Sequence, residues 1–97
     1  MKLDLKELLN KLVNNEVYYL KKQQSVSMAA GASSVTVTYS LPTGATIMSI
    51  SIATQPNANW IHCGINSYSN TGCTVAYNNT YSAAITGTIE LDIIYRL

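Results

Sequence analysis

The chain has 97 residues and a mass of 10.5 kDa, enough for one small domain and too little for two self-sufficient cores. It is 47% hydrophobic, which marks a globular chain, and only 11% charged, under half the usual ~25%. A net charge of +1 argues against electrostatic capture of nucleic acid or of an anionic membrane surface as its main business.

The first elements in chain order are helical in pattern. Asp4 with Glu7 three residues on forms a capping box, and Leu5, Leu8, Leu9 and Leu12 then recur at three- and four-residue spacing. Asn14 and Asn15 are stop residues, so residues 1–16 are expected to carry one short amphipathic α-helix. A helix of about ten residues does not persist alone in water. Its leucine stripe either lies on the rest of the chain or meets copies of itself, and the a/d spacing of Leu5, Leu8 and Leu12 favours self-association. Lys2, Asp4, Lys6 and Glu7 stand where the apolar core of a signal peptide would run, so the expectation is a protein made in the cytoplasm without one. No segment approaches the ~18 apolar residues of a membrane span, so no membrane insertion is expected.

From Glu16 the period changes to two. Val17–Met28 is the first expected strand, followed by a small-residue turn at Ala29–Ala32. Ser34–Ser40 alternates Val35, Val37 and Tyr39 against Thr36 and Thr38. Leu41–Gly44 reads as a turn with Pro42 at its second position. Thr46–Thr54 follows, with Met48, Ile50 and Ile52 expected inward and Ser49 and Ser51 outward. After a loop around Pro56 come Trp60–Asn66 and Gly72–Tyr77. The last strand, Ile85–Tyr95, sets Ile85, Ile89, Leu91, Ile93 and Tyr95 against Thr86, Thr88, Glu90 and Asp92. Six short strands punctuated by Gly and Pro predict an all-β domain over residues 17–97, a six-stranded antiparallel β-sandwich behind the N-terminal helix.

Two positions break the alternation. Ile47 sits beside Met48 and Ile94 beside Ile93, putting apolar bulk on both faces. A β-bulge can produce that pattern, but a second face covered by another subunit is the preferred reading, with Ile47 and Ile94 joining Leu5, Leu8 and Leu12 in oligomerisation.

Catalytic chemistry is thin. The 67 residues from Gln23 to Ile89 hold no formal charge and one histidine, His62. Glu90 and Asp92 lie two apart on one strand with no second element to face them. A composite site joining His62 to a neighbour's Glu90 or Asp92 is the weakest of the functional readings. No nucleophile elbow, phosphate-binding glycine loop or zinc spacing is present, so no catalytic residue, metal or cofactor is expected. If the hairpin between the fourth and fifth strands turns about Tyr68, Cys63 and Cys73 become cross-strand neighbours. Reduced thiols are favoured over a strained disulfide.

Residues suited to holding a ligand gather in the second half. Trp60 and His62 alternate outward if Ile61, Cys63 and Ile65 point in, while Asn66, Tyr68, Asn70, Asn78, Asn79 and Tyr81 fall in or near the turns. Aromatic rings cover the C–H face of a sugar, and amides and hydroxyls bond its hydroxyl groups. Taken singly, each of these residues is more simply explained by core packing or turn geometry.

The stretches Ser25-Val26-Ser27-Met28-Ala29-Ala30-Gly31 and Leu41-Pro42-Thr43-Gly44-Ala45 resemble the opening of small C-terminal domains on phage tail fibres and baseplate proteins. Trp60-Ile61-His62, Asn70-Thr71-Gly72-Cys73-Thr74-Val75 and the terminal run Thr86–Tyr95 are similar to the closing strands of H-type-lectin-like sandwiches. The resemblance covers roughly residues 25–97. It implies a trimer behind a stem, placed at the tip of a virion or phage-like particle, touching a cell-surface glycan or protein. The alternative is an assembly or decoration protein that binds other particle subunits and no sugar. A sugar-binding residue set is not matched position by position, and the short helix departs from a long fibre shaft.

Overall fold

A computed structural model describes residues 17–97; the expected N-terminal helix, with Leu5, Leu8 and Leu12, lies outside them. Six strands follow in order: β1 Tyr18–Met28, β2 Gly31–Thr38, β3 Thr46–Thr54, β4 Ile61–Ser69, β5 Gly72–Asn79 and β6 Ile85–Arg96. They form two three-stranded antiparallel sheets, one in the order β1-β6-β3 and the other β2-β5-β4. Only β4 and β5 are hairpin neighbours within a sheet. Every other connection passes from one sheet to the other.

Alternation in the sequence explains which faces meet. β6 buries Ile89, Leu91 and Ile93, and β5 buries Cys73, Val75 and Tyr77, all within one core cluster joined by Met28, Val37 and Ile61. The central strand of each sheet thus supplies three buried core side chains, more than any other strand. Pro56 is buried from the β3–β4 loop against Gly87 of β6, where any Cβ would stand 2.8 Å from the proline ring.

The open margins of the two layers are stitched by glutamines. On one side Gln24 of β1 donates from Nε2 to the Thr36 carbonyl and accepts from the Thr38 N–H through Oε1, behaving toward β2 like a short length of strand. On the other, Gln55 donates to the Ile61 carbonyl and accepts from the Cys63 thiol, tying the end of β3 to β4.

Several sequence expectations are corrected. Ile47 pairs with Tyr95 and packs against the core, whereas Met48 is exposed, because β3 carries a bulge between Ile47 and Ser49. The doubled apolar pair at 47–48 therefore arises from an extra residue in the strand. The turn after β2 is displaced by one residue: the Ala45 N–H bonds to the Pro42 carbonyl, and Gly44 takes the third position with φ +85°, as a type II turn demands. The β4–β5 hairpin turns at Asn70–Thr71, which pairs Cys63 with Tyr77 and Cys73 with Tyr68. The two cysteines are free and not cross-strand partners.

Candidate functional site

At one end of the molecule two loops meet, and their backbones are fastened before any ligand group is placed. Asn57 adopts a positive φ of 36°, and its carbonyl accepts from the N–H groups of Trp60 and Ile61, so the chain turns sharply and delivers Trp60 to the surface. The Trp60 carbonyl in turn accepts from both the N–H and the hydroxyl of Thr80, at 2.9 and 2.8 Å. Thr80 opens the β5–β6 loop, and Asn79 organises the rest of that loop. The Asn79 side chain is 2% exposed; its Nδ2 donates to the carbonyls of Met28 and Ala83, and its Oδ1 accepts from the Tyr81 N–H.

The product is a small aromatic notch. Trp60 and Tyr81 have ring centroids 5.2 Å apart at an interplanar angle of 59°, and both remain nearly half exposed, 43% and 45%. With Asn57 and Ile85 they line a cavity of about 280 Å³. A tilted pair of rings beside an amide and an aliphatic side chain offers an apolar wall and a hydrogen-bonding edge without a formal charge. Asn57 was missed in the sequence. Its signal there was only the asparagine after Pro56, read as loop composition.

The other expected ligand residues separate. His62 and Asn78 face each other on the outer face of the β2-β5-β4 sheet, both exposed. Asn66 falls at the bulge in β4. Asn70 sits in the β4–β5 turn with Nδ2 spent on the Ala45 carbonyl. Tyr68 is at that same far end, 55% exposed. Asn79 is a buried brace with both ends of its amide engaged, so it shapes the notch without being open to a ligand.

Lys21, Glu90 and Asp92 gather on the outer face of the other sheet. Glu90 accepts from Gln23 and from Lys21, the latter at 2.9 Å, and these donors hold its carboxyl below the ordinary range. Asp92 accepts the Tyr19 hydroxyl, whose ionisation is pushed up chiefly by that bond. Among the described residues, His62 therefore stands on the opposite outer face from Glu90 and Asp92, and the three assemble no acid–base pair within one chain. Ile94 lies on this charged face between Tyr19 and Ser49, with Met48 at the adjacent bulge. Among the described residues no three metal-ligating side chains converge, and no helix is long and apolar enough to cross a membrane.

Comparison with protein-family models and with curated proteins finds no match. Among solved structures, the chain is similar to a C-terminal fragment of the P. aeruginosa R1 pyocin fibre, with a TM-score of 0.48 and 20% identity. The match covers 80% of this chain and 22% of that one, and at this identity no residue role transfers.

Proposed function

We propose that this chain is a non-enzymatic binding module, the trimeric tip domain of a phage or phage-like tail fibre or baseplate, and that it holds a neutral host-surface glycan in the notch between Trp60 and Tyr81. The observation that carries the reading is the braced pair of exposed rings beside Asn57. That pair sits within 67 residues that bear no formal charge. Preorganised loops reduce the ordering entropy that a ligand must overcome, and an uncharged wall favours sugars over anions. The particle setting comes from the resemblance of residues 25–97 to fibre and baseplate tip domains.

A glycan array followed by calorimetry tests it. Trp60→Ala and Tyr81→Ala are each expected to weaken binding of a neutral glycan hit about tenfold or more, equivalent to roughly 1.4 kcal/mol. Asn78→Ala, on the outer sheet face, is expected to leave it unchanged. Equal affinity across all three variants would remove the notch from the function.

The exposed Met48, Tyr19 and Ile94 on the outer face of the β1-β6-β3 sheet favour a second reading, a particle assembly protein that docks to other subunits through that face. Retention of a particle subunit by a chain with no glycan affinity is its expected signature.

A further inference from the structure

The far end of the β2-β5-β4 sheet carries a recess of about 370 Å³, separate from the aromatic notch. Its origin is legible in the strand register. Thr36, Thr74 and Ser67 stand abreast on the outward face, and the next rung is Thr38, Gly72 and Ser69. Gly72 puts no side chain into the middle of its rung, which leaves a hollow between Thr38 and Ser69. A Cβ at Gly72 would meet the Val37 carbonyl oxygen at 2.8 Å, so the hollow is not readily filled by substitution.

A second feature shapes the same place. The bulge between Ile65 and Ser67 shifts the alternation of β4 by one residue. It brings Ser67 and Ser69 to the outward positions that Asn66 and Tyr68 would otherwise take. Tyr68, between these two serines, is opposite the buried Cys73, so its side chain leaves by the other face of the sheet. The adjoining turn is held firmly. Tyr39 donates its hydroxyl to the Ser69 carbonyl at 2.7 Å, its N–H bonds to the Thr71 carbonyl, and the Ser69 and Thr71 hydroxyls are 3.1 Å apart.

We infer that this recess is a second binding site for a neutral polyhydroxylated ligand, such as one hexose unit of a glycan. Each serine or threonine hydroxyl both donates and accepts, which matches the hydroxyl groups of a sugar in either sense. No charged side chain lines the recess to select an acidic sugar or a phosphate. The site shares its ligand class with the proposed function but stands at the opposite end of β4, roughly 25 Å from the notch at the rise of an extended strand. A polymeric glycan long enough to reach both would be held at two points on one chain, with the gain in avidity that linkage brings.

The test is an amide-resolved NMR titration of the full chain with glucose, galactose and N-acetylglucosamine, each to about 100 mM, which saturates a site of millimolar Kd. Saturable shifts are expected at Ser67–Thr74 and at Thr36 and Thr38. They should persist in Trp60→Ala, and the affinity at these amides should fall about threefold or more in Thr38→Val and in Thr74→Val. The spectra of the variants report directly that each is folded. Shifts confined to the residues around Trp60 and Tyr81 would overturn this inference and leave the notch standing. Shifts confined to the recess would uphold it and overturn the notch, and no saturable shift at either place would overturn both. Recess shifts that are unaffected by both Thr38→Val and Thr74→Val would also overturn it.

Discussion

Asn79 shows how much one buried amide can organise. Its side chain joins the end of β1, the β5–β6 loop and the backbone of Tyr81, and is itself almost fully buried. Asn79→Ala strands two carbonyls and one N–H at once, and a loss of about 3 kcal/mol follows from the usual cost of unpaired buried groups. The expected readout is a lower urea midpoint at unchanged slope, with Asn78→Ala close to the parent. Tyr39 makes a different prediction. Burial first, then the nearby Cys73 and Tyr68, push its hydroxyl up to about 12. The folded chain keeps that proton after the unfolded chain loses it near 10.0, so this contribution to stability is complete below that pH and declines as pH rises toward 12. Burial raises the thiols of Cys63 and Cys73 in the same sense, with the decline beginning above their ordinary 9.0. Urea midpoints measured from about pH 8 to about pH 11 should fall, and less steeply in Tyr39→Phe.

At the scale of elements, the two sheets are joined at their margins by side chains where no strand ladder runs. Gln24 completes the hydrogen bonding of β2 at Thr36 and Thr38, and Gln55 does the same for β4 at Ile61. Gln24→Ala is expected to cost about 1 kcal/mol. Its specific signature is faster amide exchange at Thr38, with the Tyr39 amide, bonded to the Thr71 carbonyl, still protected. Equal loss at both amides would mean that the seam opens as a whole and that the glutamine is not its local clasp. Bulges decide the rest of the pattern. The alternation of β6 was readable because Ile89, Leu91 and Ile93 never leave period two, whereas the register shifts twice along β3 and once along β4, each time reversing the phase. For that reason Met48 was expected in the core and is exposed, and Ile47 was expected outside and is packed within.

At the scale of the whole molecule, the outer face that carries Tyr19, Met48 and Ile94 sits beside the point where residues 1–16 join β1. Self-association through the leucine stripe and this face predicts a mass near three times 10.5 kDa by light scattering on a sizing column. Polar replacement of Leu5, Leu8 and Leu12 together is expected to lower that mass. A monomeric parent would mean that these apolar groups close within one chain and would remove the trimer from the proposal.

The sequence by itself determined the all-β class, the six strands of residues 17–97 and the inward sets of β5 and β6, because alternation is a local property written residue by residue. It also marked Trp60 and Tyr81 as aromatic residues of a charge-free region. Only the tertiary structure decided that they meet. They lie 21 positions apart in two loops, and Thr80, Asn79 and Asn57 bring them together through backbone bonds that depend on which strands share a sheet. The recess at Gly72 has the same character. Its rungs follow from the register of three strands and one bulge, and register is fixed by turn placement and face burial, neither of which a single strand contains.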